Sequence, residues 1–179
     1  MPMNESWQTA EIPGPKKASL IMKPDIADAL ISRAKRPIMI VGHGIIEYEV
    51  EGKQLIDCLI ALAKKAKIPV VVSASTNKEF LARKFEPAAI LSAVDISNRL
   101  TDPEWKGLDG KESYDLAIFV GLPYSMEWTI LSGLKHFAPG VKTMTLDCVY
   151  HPNASWSFPN STIKDWAANL KGIVENLED

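Results

Sequence analysis

The chain has 179 residues, of which 20 are basic and 22 acidic, giving a formal net charge of -2. That length suits a single core, since domains of ~100–200 residues are the usual unit, and 46% hydrophobic against 23% charged residues excludes a disordered or collagen-like chain. The balanced charge offers no basic face for nucleic acid or an anionic membrane, so neither is expected as a partner. Cys58 and Cys148 are the two cysteines; they can build neither a disulfide framework nor a four-thiolate iron–sulfur or zinc site. No stretch approaches the ~20 apolar residues of a membrane span, and the first residues lack the apolar core of a signal peptide. The expectation is a reduced, cytoplasmic protein.

Residues 1–19 read as an N-terminal arm. Pro2, Pro13, Gly14 and Pro15 forbid a continuous helix, and Trp7 and Ile12 are the only large apolar side chains before Leu20. The arm is either a disordered tail or an extended strap that buries Trp7 against another surface. Residues 20–179 are expected to form one α/β domain.

From Pro24 the apolar residues Ile26, Ala27, Leu30, Ile31 and Ala34 recur at helical spacing, and Pro37 ends the helix. Ile38 to Val41 form a continuous apolar run into Gly42-His43-Gly44, as expected of a central parallel strand buried on both faces. Leu55, Ile56, Leu59, Ile60, Leu62 and Ala63 mark a helix over about 52–66, and "IPVVVSAST" follows as a second buried strand. A helix is expected over 87–100, with 85–90 as an alternative short edge strand. "LAIFVG" is a third strand, followed by a helix whose apolar face is read as Trp128, Leu131, Leu134 and Phe137. "KTMTLDC" is a fourth strand, 155–158 a further short edge strand, and Thr162 to about Leu177 a closing helix. Strands alternating with helices give a parallel sheet covered on both faces, a doubly wound, Rossmann-like α/β fold.

Ligands of such sheets bind beyond the carboxyl ends of the strands. This places candidate cofactor-binding residues at Gly42, His43 and Gly44, at Ser73 and Ser75, at Gly121 and Pro123, and at Asp147. Gly42-His43-Gly44-Ile45-Ile46-Glu47 lacks the third glycine of a dinucleotide fingerprint. Glu47, Glu49 and Glu51 crowd the same approach, each costing an arriving phosphate about 2–4 kcal/mol at ~4–8 Å and an effective dielectric near 20. Asp147 either accepts a ribose hydroxyl or caps the next turn with its own side chain. Cys148 and His151 are spaced like a metal pair, but further ligands are missing nearby in sequence, so no metal ligand is assigned. No nucleophile elbow, P-loop or catalytic carboxylate pair occurs, so no catalytic residue is assigned either. Trp128 and Trp166 fall at core-facing helical positions, whereas Trp7, Trp105 and Trp156 lie in irregular segments and suit interface anchors.

On "RPIMIVGHGI", "IPVVVSAST", "YDLAIFVGLPYSM" and the closing helix, the sequence resembles the epsilon subunit family of the archaeal acetyl-CoA decarbonylase/synthase (carbon monoxide dehydrogenase) complex. The likeness runs over nearly the whole chain. It implies a fold of the deoxyhypusine-synthase-like NAD/FAD-binding type. It also implies a non-catalytic accessory subunit beside a nickel–iron–sulfur alpha subunit that interconverts CO and CO2, in an alpha2-epsilon2 unit among the other subunits of that complex. Its role would be to stabilise the alpha subunit or to assist electron transfer to FAD. If the fold's FAD or NAD site persists, the matching positions are the strand-end residues named above. The alternative is a free-standing FAD- or NAD-binding oxidoreductase.

Overall fold

The computed structural model describes residues 16–177. Most of the arm, with Trp7 and Ile12, lies outside the described residues. Its end does not hang free: Ser19–Leu20 form β1, which pairs in parallel with Trp156–Ser157 (β9), and Ala18 is buried with its N–H on the Pro152 carbonyl at 2.9 Å.

Helix α1 (Pro24–Arg33) takes Pro24 in its first turn and buries Ala27 and Ile31. Strand β2 (Pro37–Val41) follows, then a 3-10 turn (His43–Glu47) and an antiparallel hairpin of β3 (Glu49–Val50) and β4 (Lys53–Gln54). Glu51 at φ 55° and Gly52 at φ 76° supply the two positive-φ residues that such a tight turn requires. Helix α2 (Leu55–Lys65) leads to β5 (Val70–Val72), α3 (Ala74–Ala82), β6 (Ala89–Ile90) and α4 (Ala93–Thr101). Then come β7 (Leu116–Val120), α5 (Tyr124–Phe137), β8 (Lys142–Thr145), β9 and α6 (Ile163–Asn176).

The main sheet runs β1-β9-β8-β7-β2-β5-β6, with every pairing parallel. From β2 the chain winds outward through β5 and β6, crosses back to β7, and winds the other way through β8 and β9. The reversal therefore lies between β2 and β7. Alternation along β2 separates two cores: Met39 and Val41 face the side covered by α1, α2, α3 and α6, while Ile38 and Ile40 face the side covered by α4 and α5. This is the doubly wound sandwich that the sequence implies.

Three local expectations are corrected. The second strand stops at Val72, and 74–82 is a helix; its composition is polar and only Thr76 and Phe80 are buried, so it carries almost no 3.6 periodicity. The helix expected over 87–100 begins only at Ala93, because Ser92 caps it by accepting the Asp95 N–H at 3.0 Å, and the edge-strand alternative forms as β6. In α5 the inward face is Glu127, Ile130, Leu131 and Leu134, while Trp128 is half-buried and Phe137 is 73% exposed. An acidic residue on the inward face shifted the apparent phase.

The tryptophans are also mostly absorbed. Trp105 packs on Tyr114 at 5.7 Å between ring centres, and Trp156 lies in β9 against the core under α6. Neither is a fully exposed anchor. The closing helix is capped by Thr162, whose hydroxyl accepts the Asp165 N–H at 3.2 Å. Thr162→Ala is expected to lower stability by about 1 kcal/mol, read from the urea midpoint.

Candidate functional site

Strands β5, β2, β7 and β8 are neighbours and parallel, so their carboxyl ends bring the four sequence-predicted loops to one edge of the sheet. At the reversal the loops touch through backbone. The Gly42 N–H donates to the Val120 carbonyl at 2.8 Å, and the Gly44 N–H donates to the Gly121 carbonyl at 2.9 Å. A Cβ on Gly42 would lie 2.2 Å from the Gly121 oxygen, and one on Gly44 would lie 2.9 Å from it. The Gly121 N–H in turn donates to Asp147 Oδ1 at 2.8 Å. Of the candidate residues, Gly42, Gly44, Gly121 and Asp147 thus form one contiguous knot.

The other candidates surround it. His43 opens the 3-10 turn and is exposed. Ser73 precedes α3, with its Oγ 2.9 Å from Thr76 Oγ1 and 3.0 Å from the exposed Ser75 Oγ. Pro123 is exposed at the start of α5. The acidic Glu47, Glu49 and Glu51 are exposed on the turn and hairpin rather than crowding a helix start.

Beneath the knot lies a cluster that the sequence does not announce. Glu127 from α5, Asp147 from the end of β8 and His151 from the loop beyond it are all buried, at 0%, 8% and 1% exposure. One donor atom from each lies within 4.8 Å of the others. His151 Nε2 stands 3.8 Å from Glu127 Oε1, and the His151 ring stacks on Tyr124 with centres 4.4 Å apart. Among the described residues His151 Nδ1 is buried without a hydrogen bond, and the Glu127 and Asp147 carboxyls are buried against each other with Thr145 beside Glu127.

Desolvation dominates the electrostatics here. Burial, then the charge of Asp147, pushes the Glu127 carboxyl well above the usual carboxylate range. Burial also raises Asp147, against the pull of Glu127 and of the Gly121 N–H bond. Burial alone lowers His151 to about 4, so the imidazole is neutral at pH 7. The Cys148 thiol is pushed up by burial and by Asp147.

Sequence spacing pairs His151 with Cys148, whereas the fold pairs it with Glu127 and Asp147. The readable signal was Glu127 itself, an acid standing three residues before Ile130, four before Leu131 and seven before Leu134 on a buried helix face.

The residues at the reversal do not fit a dinucleotide pyrophosphate. A pyrophosphate needs free backbone N–H groups at a helix start. Here the Gly42, Gly44 and Gly121 N–H groups are already bonded, and the next α-helix begins only at Leu55, beyond the hairpin. A flavin or nicotinamide cofactor would be left with the neighbouring shelf of Ser73, Ser75 and Pro123.

The profile of a family described as CO dehydrogenase beta subunit/acetyl-CoA synthase epsilon subunit matches residues 1–174. The chain is 38% identical over 167 residues to the acetyl-CoA decarbonylase/synthase complex subunit epsilon of Methanothermobacter thermautotrophicus, covering 92% of this chain and 91% of that protein. It is 35% identical to the subunit epsilon of Methanothrix soehngenii over 96% and 90% of the two chains. With the subunit epsilon 1 of Archaeoglobus fulgidus the identity is 32% over 98% and 94%.

Proposed function

The chain belongs to the CO dehydrogenase beta subunit/acetyl-CoA synthase epsilon subunit family, and from that membership we propose that it is the epsilon, accessory subunit of an acetyl-CoA decarbonylase/synthase complex. In this reading it stabilises the large nickel–iron–sulfur alpha subunit, in an alpha2-epsilon2 unit, and performs no chemical step itself. The observation that carries the proposal is the end-to-end match to relatives of that name, at 38% identity over 92% of the chain. Two cysteines are too few to hold the clusters of such a reaction, which supports a reading in which a partner subunit carries the redox metals. An apolar groove of about 600 Å³ between α4 and α5, with Val94 and Met126 exposed on it, is surface of the kind that subunits bury.

Anaerobic affinity purification of the tagged chain from its native extract tests this. The expected result is co-recovery of a large iron–sulfur protein, with a native mass equal to two copies of each chain. Recovery of the chain alone would overturn it. Adding FAD to the same material separates the two roles. With the Gly42–Gly44 donors engaged, we expect no flavin band to be retained, whereas a retained flavin that bleaches under CO would make the chain an electron conduit using the Ser73–Ser75 shelf.

A further inference from the structure

We propose that Glu127, Asp147 and His151 form a buried site for one divalent transition-metal ion of the Zn2+ class. The site would act as a structural pin at the carboxyl edge of the sheet. The inference rests on this geometry and not on the role proposed for the chain within a complex.

The donors come from three separate places: the inward face of α5, the residue run leaving β8, and the loop that carries His151. Their donor atoms lie within 4.8 Å of one another, and Glu127 Oε1 and His151 Nε2 are already 3.8 Å apart. Around a tetrahedral ion with bonds of 2.0–2.1 Å, ligand atoms sit roughly 3.4 Å apart. Rotation of the Glu127 side chain, whose oxygens have only Asp147 and Thr145 within reach, would bring the donor atoms closer together.

What marks the cluster as a site is its unspent bonding capacity. Buried polar groups are nearly always hydrogen-bonded, and each that is not costs roughly 1–3 kcal/mol. Here His151 Nδ1 has no hydrogen-bond partner among the described residues, and the Glu127 and Asp147 carboxyls, more than nine-tenths buried, have only each other and Thr145 within reach. A divalent cation would draw on carboxylate oxygens and on His151 Nε2, the ring nitrogen nearest Glu127, together. Two carboxylates, one neutral imidazole and a 2+ ion sum to zero charge, the state that a dry interior tolerates best. The imidazole donor favours a transition ion over Mg2+ or Ca2+.

Neighbouring groups already hold the ligands in place. Asp147 Oδ1 accepts the Gly121 N–H, which leaves Oδ2 for the ion. The His151 ring is stacked on Tyr124, and its backbone N–H donates to Ser157 Oγ at 3.0 Å. Supports of this kind orient ligands and raise affinity.

The test uses the full chain produced with Zn2+ in excess and then dialysed. Elemental analysis is expected to return one zinc per chain, and a chelator is expected to lower the melting temperature. Co2+ in its place is expected to give visible d–d bands with no thiolate charge-transfer band. E127Q should weaken Zn2+ binding by more than the roughly 10–100-fold cost of losing an outer-shell partner, while Cys148→Ser retains the metal. If E127Q does not fold, the wild-type cobalt spectrum and the chelator shift decide the matter alone. Zinc at background level with an unchanged melting temperature would overturn the proposal. A thiolate band would overturn it too, by moving the ligand set to Cys148.

Discussion

Gly42→Ala is expected to cost the chain about 3 kcal/mol or more, at the upper end of overpacking penalties, and to leave little folded protein at 37 °C. The reason is distance. The new methyl group would sit 2.2 Å from the Gly121 oxygen, 2.5 Å from its carbonyl carbon and 2.7 Å from the Leu122 nitrogen. All three are backbone atoms, so no side chain can swing away. Gly121 cannot retreat easily either: it sits at φ 76° and its N–H is held by Asp147. Relief would require the ends of β2 and β7 to separate, which opens the sheet at its reversal. Gly133→Ala is the matching control. Gly133 lies inside α5 with no atom within 4 Å of the added carbon, so the same change should stabilise by roughly 0.5–1 kcal/mol. Urea melts of the two variants should move in opposite directions. A Gly42→Ala midpoint within error of wild type would show that the two loops do not meet as described.

That contrast also shows what the sequence could and could not reveal. The four buried strands were legible because parallel strands covered on both faces are continuous apolar runs, as in Ile38 to Val41 and Leu116 to Val120. Helices with a strong apolar stripe, such as α2 and α6, were legible for the same reason. Helix α3 was not, since a helix that buries only Thr76 and Phe80 leaves no stripe to read. The glycines were seen, but their purpose was not. A glycine pair after a strand looks the same whether a phosphate or another loop approaches it, and only the fold brings Gly121 against Gly42.

The candidate site divides along the same line. Its position at the carboxyl edge follows from topology, which sequence alternation dictates. The Glu127–Asp147–His151 cluster does not follow, because its members are 20 and 4 residues apart and belong to a helix, a strand end and a loop. An apolar face read as Trp128, Leu131, Leu134 and Phe137 leaves Glu127 off it, whereas the helix buries Glu127 with Ile130, Leu131 and Leu134. A buried acid at an apolar phase is a signal of function or of a special bond, and it deserves that reading before the helix phase is fixed.

Trp166→Ala is expected to cost about 3–5 kcal/mol, the range for deleting a buried large aromatic, and its effect should reach the edge where the site lies. Trp166 is 1% exposed and packs edge-on against Tyr48 with ring centres 5.2 Å apart. Its indole N–H donates to the Leu146 carbonyl at 2.5 Å, and Leu146 immediately precedes Asp147. Helix α6 thus grips the last residues of β8 through one side chain, just before the chain turns into the loop that carries His151. Trp166→Phe separates the two contributions. It keeps most of the apolar contact but leaves the Leu146 carbonyl without its indole donor, for about 1–3 kcal/mol. If the indole bond positions Asp147, Trp166→Phe should also loosen the Asp147–Gly121 bond, read as faster hydrogen exchange at the Gly121 amide relative to the rest of β7. Equal exchange in Trp166→Phe and wild type would confine Trp166 to packing. An unchanged melting temperature in Trp166→Ala would be incompatible with its place in the core.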